Sequence, residues 1–116
     1  MHTRSTEHHM LLVTHRLGHA VVLAPQGEVD LESVGPLRLA LDAEARHGEG
    51  PVVLDLSAVR FADTALVNAL LRVRPELGDR LRMVAPSALV TRLLRVLCLE
   101  SAFTIRDSWD AAVNRP

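Results

Sequence analysis

Two short segments carry polar side chains at places where buried strands need none: Gly27-Glu28-Val29-Asp30-Leu31 and Val59-Arg60-Phe61-Ala62-Asp63-Thr64. Each follows an apolar, β-branched run, Ala20–Ala24 in the first case and Val52–Leu56 in the second. In open α/β sheets, binding and catalytic groups gather at such strand ends, where loops lead into helices. The chemistry on offer is that of carboxylates (Glu28, Asp30, Asp63) and one hydroxyl (Thr64). An acid–base or nucleophilic centre would need more. The chain has no Lys and no Tyr, and its histidines are His2, His8, His9, His15 and His19, with only His47 elsewhere. No phosphate-binding glycine loop, G-x-S-x-G, H-E-x-x-H or C-x-x-C is present. The reading is therefore of a non-catalytic protein without cofactor. The N-terminal histidines have no recurring ligand spacing, and no metal site is expected there.

The elements that must position these segments follow from periodicity and punctuation. Leu11–Arg16 is a short apolar run and Gly18 a turn; Ala20–Ala24 is a buried strand, with Pro25 at its edge or at a bulge. Leu37, Ala40, Leu41 and Ala45 form one helical stripe, with Ser33 as expected N-cap and Pro36 in the first turn. Gly48 and Gly50 end that helix, and Val52–Leu56 is the next buried strand. Ser57–Ala62 reads as a loop. Asp63 caps a helix starting at Thr64, which Pro75 should limit to about three turns. Leu66, Val67, Leu70, Leu71 and Val73 make that helix apolar nearly all round, which favours a protein interface on its outer face. Leu81–Ala85 is a strand. A helix from Pro86-Ser87 should bury Leu89, Leu93, Val96 and Leu97. Phe103–Ile105 is a final strand, and Asp107-Ser108 cap a short helix at Trp109–Val113. The order β-β-α-β-α-β-α-β-α implies an α/β layer, a small mixed, largely parallel sheet with about four helices.

Size and charge set the class. The 116 residues fit one domain, with residues 1–10 read as a disordered tail and 11–116 as the folded unit. Apolar residues make up 48% and aromatics 3%, so the core must be Leu, Val and Ala. A net charge of −1 gives no electrostatic footprint for nucleic acid or anionic lipid. No apolar stretch is long enough to span a membrane and no secretory signal is visible, so the expected location is the cytoplasm. Cys98, the single cysteine, sits in the apolar run Leu93–Leu99 and reads as a buried small hydrophobe.

Three pieces of the sequence, in order, resemble the STAS family, in particular the anti-sigma-factor antagonists of bacterial partner switching. Gly27-Glu28-Val29-Asp30 is similar to that family's G-E-[LVI]-D motif. The run Val52–Asp63 resembles its hydrophobic strand followed by D-L-S-x-V-x-F-x-D, and Pro86–Leu94 its P-S-x-x-V-x-R-L-L helix. The resemblance spans about Val13 to Val113. It implies a domain that docks onto an anti-sigma factor with serine/threonine kinase activity and thereby controls transcription, as a monomer or weak homodimer. It implies Thr64 as phosphoacceptor, and Glu28, Asp30, Leu31, Ala62, Asp63, Ala65, Leu66 and Asn68 as partner-binding positions. Where the family usually continues with [ST]-G-L-G, this sequence has Ala65-Leu66-Val67-Asn68. That departure motivates the alternative, a STAS-like scaffold or constitutive regulator that has lost phosphorylation. A phosphate on Thr64 would gain about 0.3–1 kcal/mol from the helix N-terminus. Each unit like-charge pair with Asp30 or Asp63 would cost roughly 2–3 kcal/mol at about 6 Å and an effective dielectric near 20. Phosphorylation is thus expected to block docking without unfolding the domain.

Overall fold

The structure, a computed structural model, describes residues 10–84 and 86–114. Among these residues six strands and four α-helices follow one another: β1 (Met10–Leu17), β2 (Ala20–Val29), α1 (Gly35–His47), β3 (Val52–Asp55), β4 (Val59–Ala62), α2 (Thr64–Leu77), β5 (Leu81–Val84), α3 (Ala88–Val96), β6 (Thr104–Arg106) and α4 (Trp109–Asn114). The six strands form one sheet in the order β1-β2-β3-β5-β6, with β4 paired to β2. β1 and β2 are an antiparallel hairpin, and every other pairing is parallel. The α/β class with a largely parallel sheet and four helices is as the sequence implied. The tail expected at residues 1–10 lies outside the described residues except for Met10, which opens β1 opposite Gly27. Ala85, expected to end the fifth strand, also lies outside them.

One face of the sheet carries the main core. Val21, Leu23, Val52, Leu54 and Met83 point to it, and Leu37, Leu41, Leu66, Leu70, Val90 and Leu94 of the helices close over it. Alternation sends Val22, Val53 and Val84 to the opposite face, where Ala112 of α4 covers them. At roughly 1.5–3 kcal/mol per fully buried Leu or Val, these aliphatic layers are the dominant source of stability in a chain so poor in aromatics.

The local expectations diverge from the structure in several places. Ser57–Ala62 is not all loop, because Val59–Ala62 adds β4 to the far half of β2. β2 correspondingly runs through Pro25 to Val29. Its neighbours on that side are β3 at Val21–Leu23 and β4 at Gly27–Val29. Val21 and Gly27 both donate toward that side, to the carbonyls of Pro51 and Ala58. Alternation puts the Pro25 nitrogen on the same side, in the gap between the two strands, so the missing N–H costs no ladder bond. Pro75 does not end α2; the helix continues to Leu77. Leu71, whose carbonyl loses its i+4 donor, and Pro75 both lie on the exposed side, where water can satisfy that carbonyl. α3 buries Val90 and Leu94 rather than the expected stripe, leaving Leu89, Val96 and Leu97 exposed. The apolar arc of this short helix is wide, running from Leu89 and Val96 through Leu93 to Val90 and Leu94, so periodicity does not say which edge of it is buried; docking against β4 selects the Val90–Leu94 edge.

Cys98, expected to be buried, is exposed. It adopts φ 57°, and the amides of Cys98 and Leu99 bond to the carbonyls of Arg95 and Leu94. This pair of bonds is the Schellman closure of a helix, in which Cys98 occupies the left-handed position that glycine usually fills.

Candidate functional site

The parallel pairing of β2 with β4 creates the site. Val29 lies opposite Ala62, and the Asp63 amide donates to the Val29 carbonyl at 3.4 Å. The chain then leaves both strands at the same edge, so the Asp30-Leu31 turn and the Asp63-Thr64 helix start are neighbours. The register shifts between Gly27 and Glu28, opposite the step from Val59 to Phe61, so Arg60 is the extra residue of a bulge. Gly27 has φ 100° there, a backbone conformation that favours glycine. The Gly-Glu-Val-Asp segment thus begins with the residue that lets β2 meet a bulged partner.

Asp30 and Ser33 build the first loop. Asp30 Oδ1 accepts hydrogen bonds from the amides of Glu32 (3.0 Å) and Ser33 (3.0 Å), an Asx turn. The buried Ser33 hydroxyl donates to the Glu28 carbonyl at 2.6 Å and accepts from the Asp30 amide at 2.9 Å. Ser33 is therefore a lock within the loop. It is not the expected N-cap of α1, a position taken by Val34 with no side-chain cap. The turn leaves Leu31 80% exposed, the most exposed large apolar side chain among the described residues.

Asp63 builds the second half as expected. Its backbone is extended and its Oδ1 accepts from the Ala65 amide at 2.8 Å, capping α2. Thr64 follows in the first turn and is exposed. Two of the three carboxylates suggested as contact residues, Asp30 and Asp63, thus also hold backbone in place.

Of the remaining positions, Glu28 is half-buried, while Ala65 and Asn68 lie on the accessible side of α2. Ala62 and Leu66 do not: they are 8% and 1% exposed and belong to the core. Their side chains cannot meet a partner, because the sheet and α2 bury them on folding. The expected apolar outer face of α2 shrinks to Leu71, which stays exposed. Leu66, Val67, Leu70 and Val73 all turn inward, and Thr64, Asn68, Arg72 and Glu76 face out. The bulky Leu66, where the family pattern has glycine, is absorbed inside the molecule.

Between α1 and α2 lies a groove of about 210 Å³. Leu31, Val34 and Arg38 form one wall, and Ala65, Asn68 and Arg72 stand on the other. The two arginines were not visible as a pair in the sequence, since they lie on different helices. A larger cavity of about 340 Å³ sits at the C-terminal end of α2, the end remote from Thr64, and includes Arg74 and Phe103. The Arg74 guanidinium lies 5.9 Å from the Phe103 ring centre, a cation–π contact.

Sequence reading also missed a polar staple on the α4 face. Asp55 accepts from the Ser57 amide (2.9 Å) and hydroxyl (2.7 Å) through one oxygen, and from Trp109 Nε1 (2.7 Å) through the other. Burial pushes its carboxyl pKa up, but the two Ser57 bonds and the Trp109 bond outweigh burial and hold it below the usual value. The Asp-x-Ser spacing signals the local half of this cluster. Trp109, on the far end of the chain, carries no such signal. His15 of β1 completes the group, its ring centre 5.1 Å from that of Trp109.

Comparison with known proteins fits this arrangement. Among solved structures, an anti-sigma-factor antagonist from Mycobacterium paratuberculosis superposes with a TM-score of 0.77 at 24% identity, covering 89% of this chain and 90% of that one. SpoIIAA in its unphosphorylated form gives 0.75 at 18% identity, covering 90% and 95%. Bacillus SpoIIAA in the phosphorylated form gives 0.69 at 16% identity, covering 90% and 98%. These likenesses concern the fold. A comparison with curated protein sequences gives no match. The family model described as "Mlab, STAS domain" matches residues 12–106, and with the β2–β4 strand ends in place the chain is a member of the STAS domain family.

Proposed function

We propose that the protein is an anti-sigma-factor antagonist that works in the cytoplasm by docking, not by catalysis. Its partner is an anti-sigma factor with serine/threonine kinase activity, and Thr64 is the phosphoacceptor. The observation that carries this reading is the β2–β4 pairing, which brings Asp30 and Leu31 beside Asp63 and Thr64. An exposed hydroxyl in the first turn of a capped helix is accessible to a kinase. An exposed leucine beside it supplies apolar contact area. A phosphate there adds nearly two negative charges next to Asp63 and Asp30. Solvent screening lowers each repulsion to about 1 kcal/mol or less at such partly exposed positions. The Asp30 and Asp63 repulsions act in the free protein too, so affinity falls through the added negative charge at the docking edge, by several-fold for each acidic group that a partner brings there.

The test mixes the purified protein with the anti-sigma kinase of its own genome and ATP. Phosphate on Thr64 is read by mass spectrometry and complex formation by calorimetry. Phosphate at Thr64 and loss of binding in Thr64→Asp are expected. A complex that forms equally well with Thr64→Asp refutes the switch and leaves the alternative, a constitutive STAS-like scaffold. Ala65 and Asn68 favour that alternative, since both replace family-pattern residues on the accessible side of α2. Sedimentation analysis separates the two further: a stable homo-oligomer that ignores phosphate supports the scaffold.

A further inference from the structure

The groove between α1 and α2 continues from the docking edge along the first turn of α1 and the N-terminal half of α2, and its residues define what can fill it. Ala65 and Ala69 stand one turn apart on α2 and, being small, open the space that Val34 and Leu31 border from the other side. The floor is therefore apolar. The rim is not. Arg38 on α1 and Arg72 on α2 flank the groove, and both are exposed. Arg38 makes no ion pair among the described residues, and Arg72 reaches only Asp42 at 3.7 Å. Two guanidinium groups around one carboxylate leave the rim with a positive excess, although the whole chain has a net charge of −1.

We propose that this groove receives a partner helix that inserts one apolar side chain between Ala65, Ala69 and Val34 and sets acidic residues one turn to either side against Arg38 and Arg72. Spacing of i and i+3 or i+4 on a helix supplies that alternation of apolar and acidic groups. A basic partner segment would meet repulsion at the same rim, so the arginines select sign as well as adding attraction. The proposal rests on the docking role inferred above, but concerns which surface of the partner is read rather than whether Thr64 is modified.

The test uses the full chain, labelled with ¹⁵N, and two synthetic helical peptides. These share the same leucines and differ only in having Glu or Lys at the flanking positions. The Glu peptide is expected to shift the backbone amides of Val34, Arg38, Ala65 and Asn68 and to bind about tenfold tighter than the Lys peptide, as two rim charge pairs allow. Arg38→Gln combined with Arg72→Gln should bring the two peptides to equal affinity, since both side chains are exposed and their loss leaves the core intact. Equal binding of the two peptides to the unaltered protein, binding by neither, or shifts centred on another face overturns the proposal. Because the probes are synthetic, its failure alongside normal Thr64 phosphorylation leaves the switch standing. Failure of phosphorylation alongside Glu-selective binding leaves the groove standing.

Discussion

Replacing Ser33 by alanine removes one oxygen atom, and the structure says what that atom holds. Ser33 is 8% exposed, and its hydroxyl spans the Glu28 carbonyl at 2.6 Å and the Asp30 amide at 2.9 Å. Each lost bond costs about 1 kcal/mol net, and up to about 3 kcal/mol where the group left behind is cut off from water. A single missing oxygen leaves too little room for a water to take its place. The expected loss is therefore about 2–4 kcal/mol, short of unfolding a domain whose total stability is of order 5–15 kcal/mol. With a urea m-value of roughly 2 kcal/mol/M, the unfolding midpoint should fall by about 1–2 M while m stays the same. Ser57→Ala is the reference. Its hydroxyl also bonds a carboxylate, Asp55, at 2.7 Å, but the residue is exposed, so water substitutes and the loss should stay below about 1 kcal/mol. A midpoint shift for Ser33→Ala no larger than that for Ser57→Ala refutes the claim that Ser33 locks the loop presenting Leu31.

Three further outcomes are expected. Asp55 has a folded pKa below its ordinary 3.8, so in acid the unfolded chain binds the extra proton. Its contribution is complete above about pH 5 and is lost as pH falls through 3.8 toward the folded value. The stability gap between the unaltered protein and Asp55→Asn should accordingly shrink from pH 6 to pH 3 in urea titrations; a gap constant across that range contradicts the assignment. Cys98→Gly should raise stability by about 1 kcal/mol, and Cys98→Val should lower it, because φ 57° disfavours a β-branched residue. Opposite thermal shifts for the two variants in calorimetry check this, and shifts of the same sign would exclude the helix-closing role. Leu31→Ala should leave stability within about 0.5 kcal/mol while weakening partner binding. Leu66→Ala, at a fully buried site, should cost about 2–5 kcal/mol, so equal unfolding midpoints for the pair would contradict the division between surface and core.

How these residues behave shows what sequence alone determined. The buried strands, the Asp63 cap of α2, the Ser87 cap of α3 and the Ser108 bond in α4 all follow from local rules. Each depends on groups two to four residues apart, a distance that primary structure encodes directly. The candidate site was legible to the same extent: the motifs marked Asp30, Asp63 and Thr64. What tertiary structure decided was everything set by long-range pairing. β4 exists because a bulged four-residue segment finds the free half of β2, and only that pairing makes Asp30 and Asp63 neighbours. Packing chose to bury Ala62 and Leu66 and to leave Leu31 and Cys98 outside. It also brought Arg38 to Arg72 across a groove, and Trp109 to Asp55 across 54 residues. Periodicity states that a residue is apolar or charged. Which neighbour it meets depends on strand register and on the face a helix turns to the sheet, and both are settled only when the whole core closes.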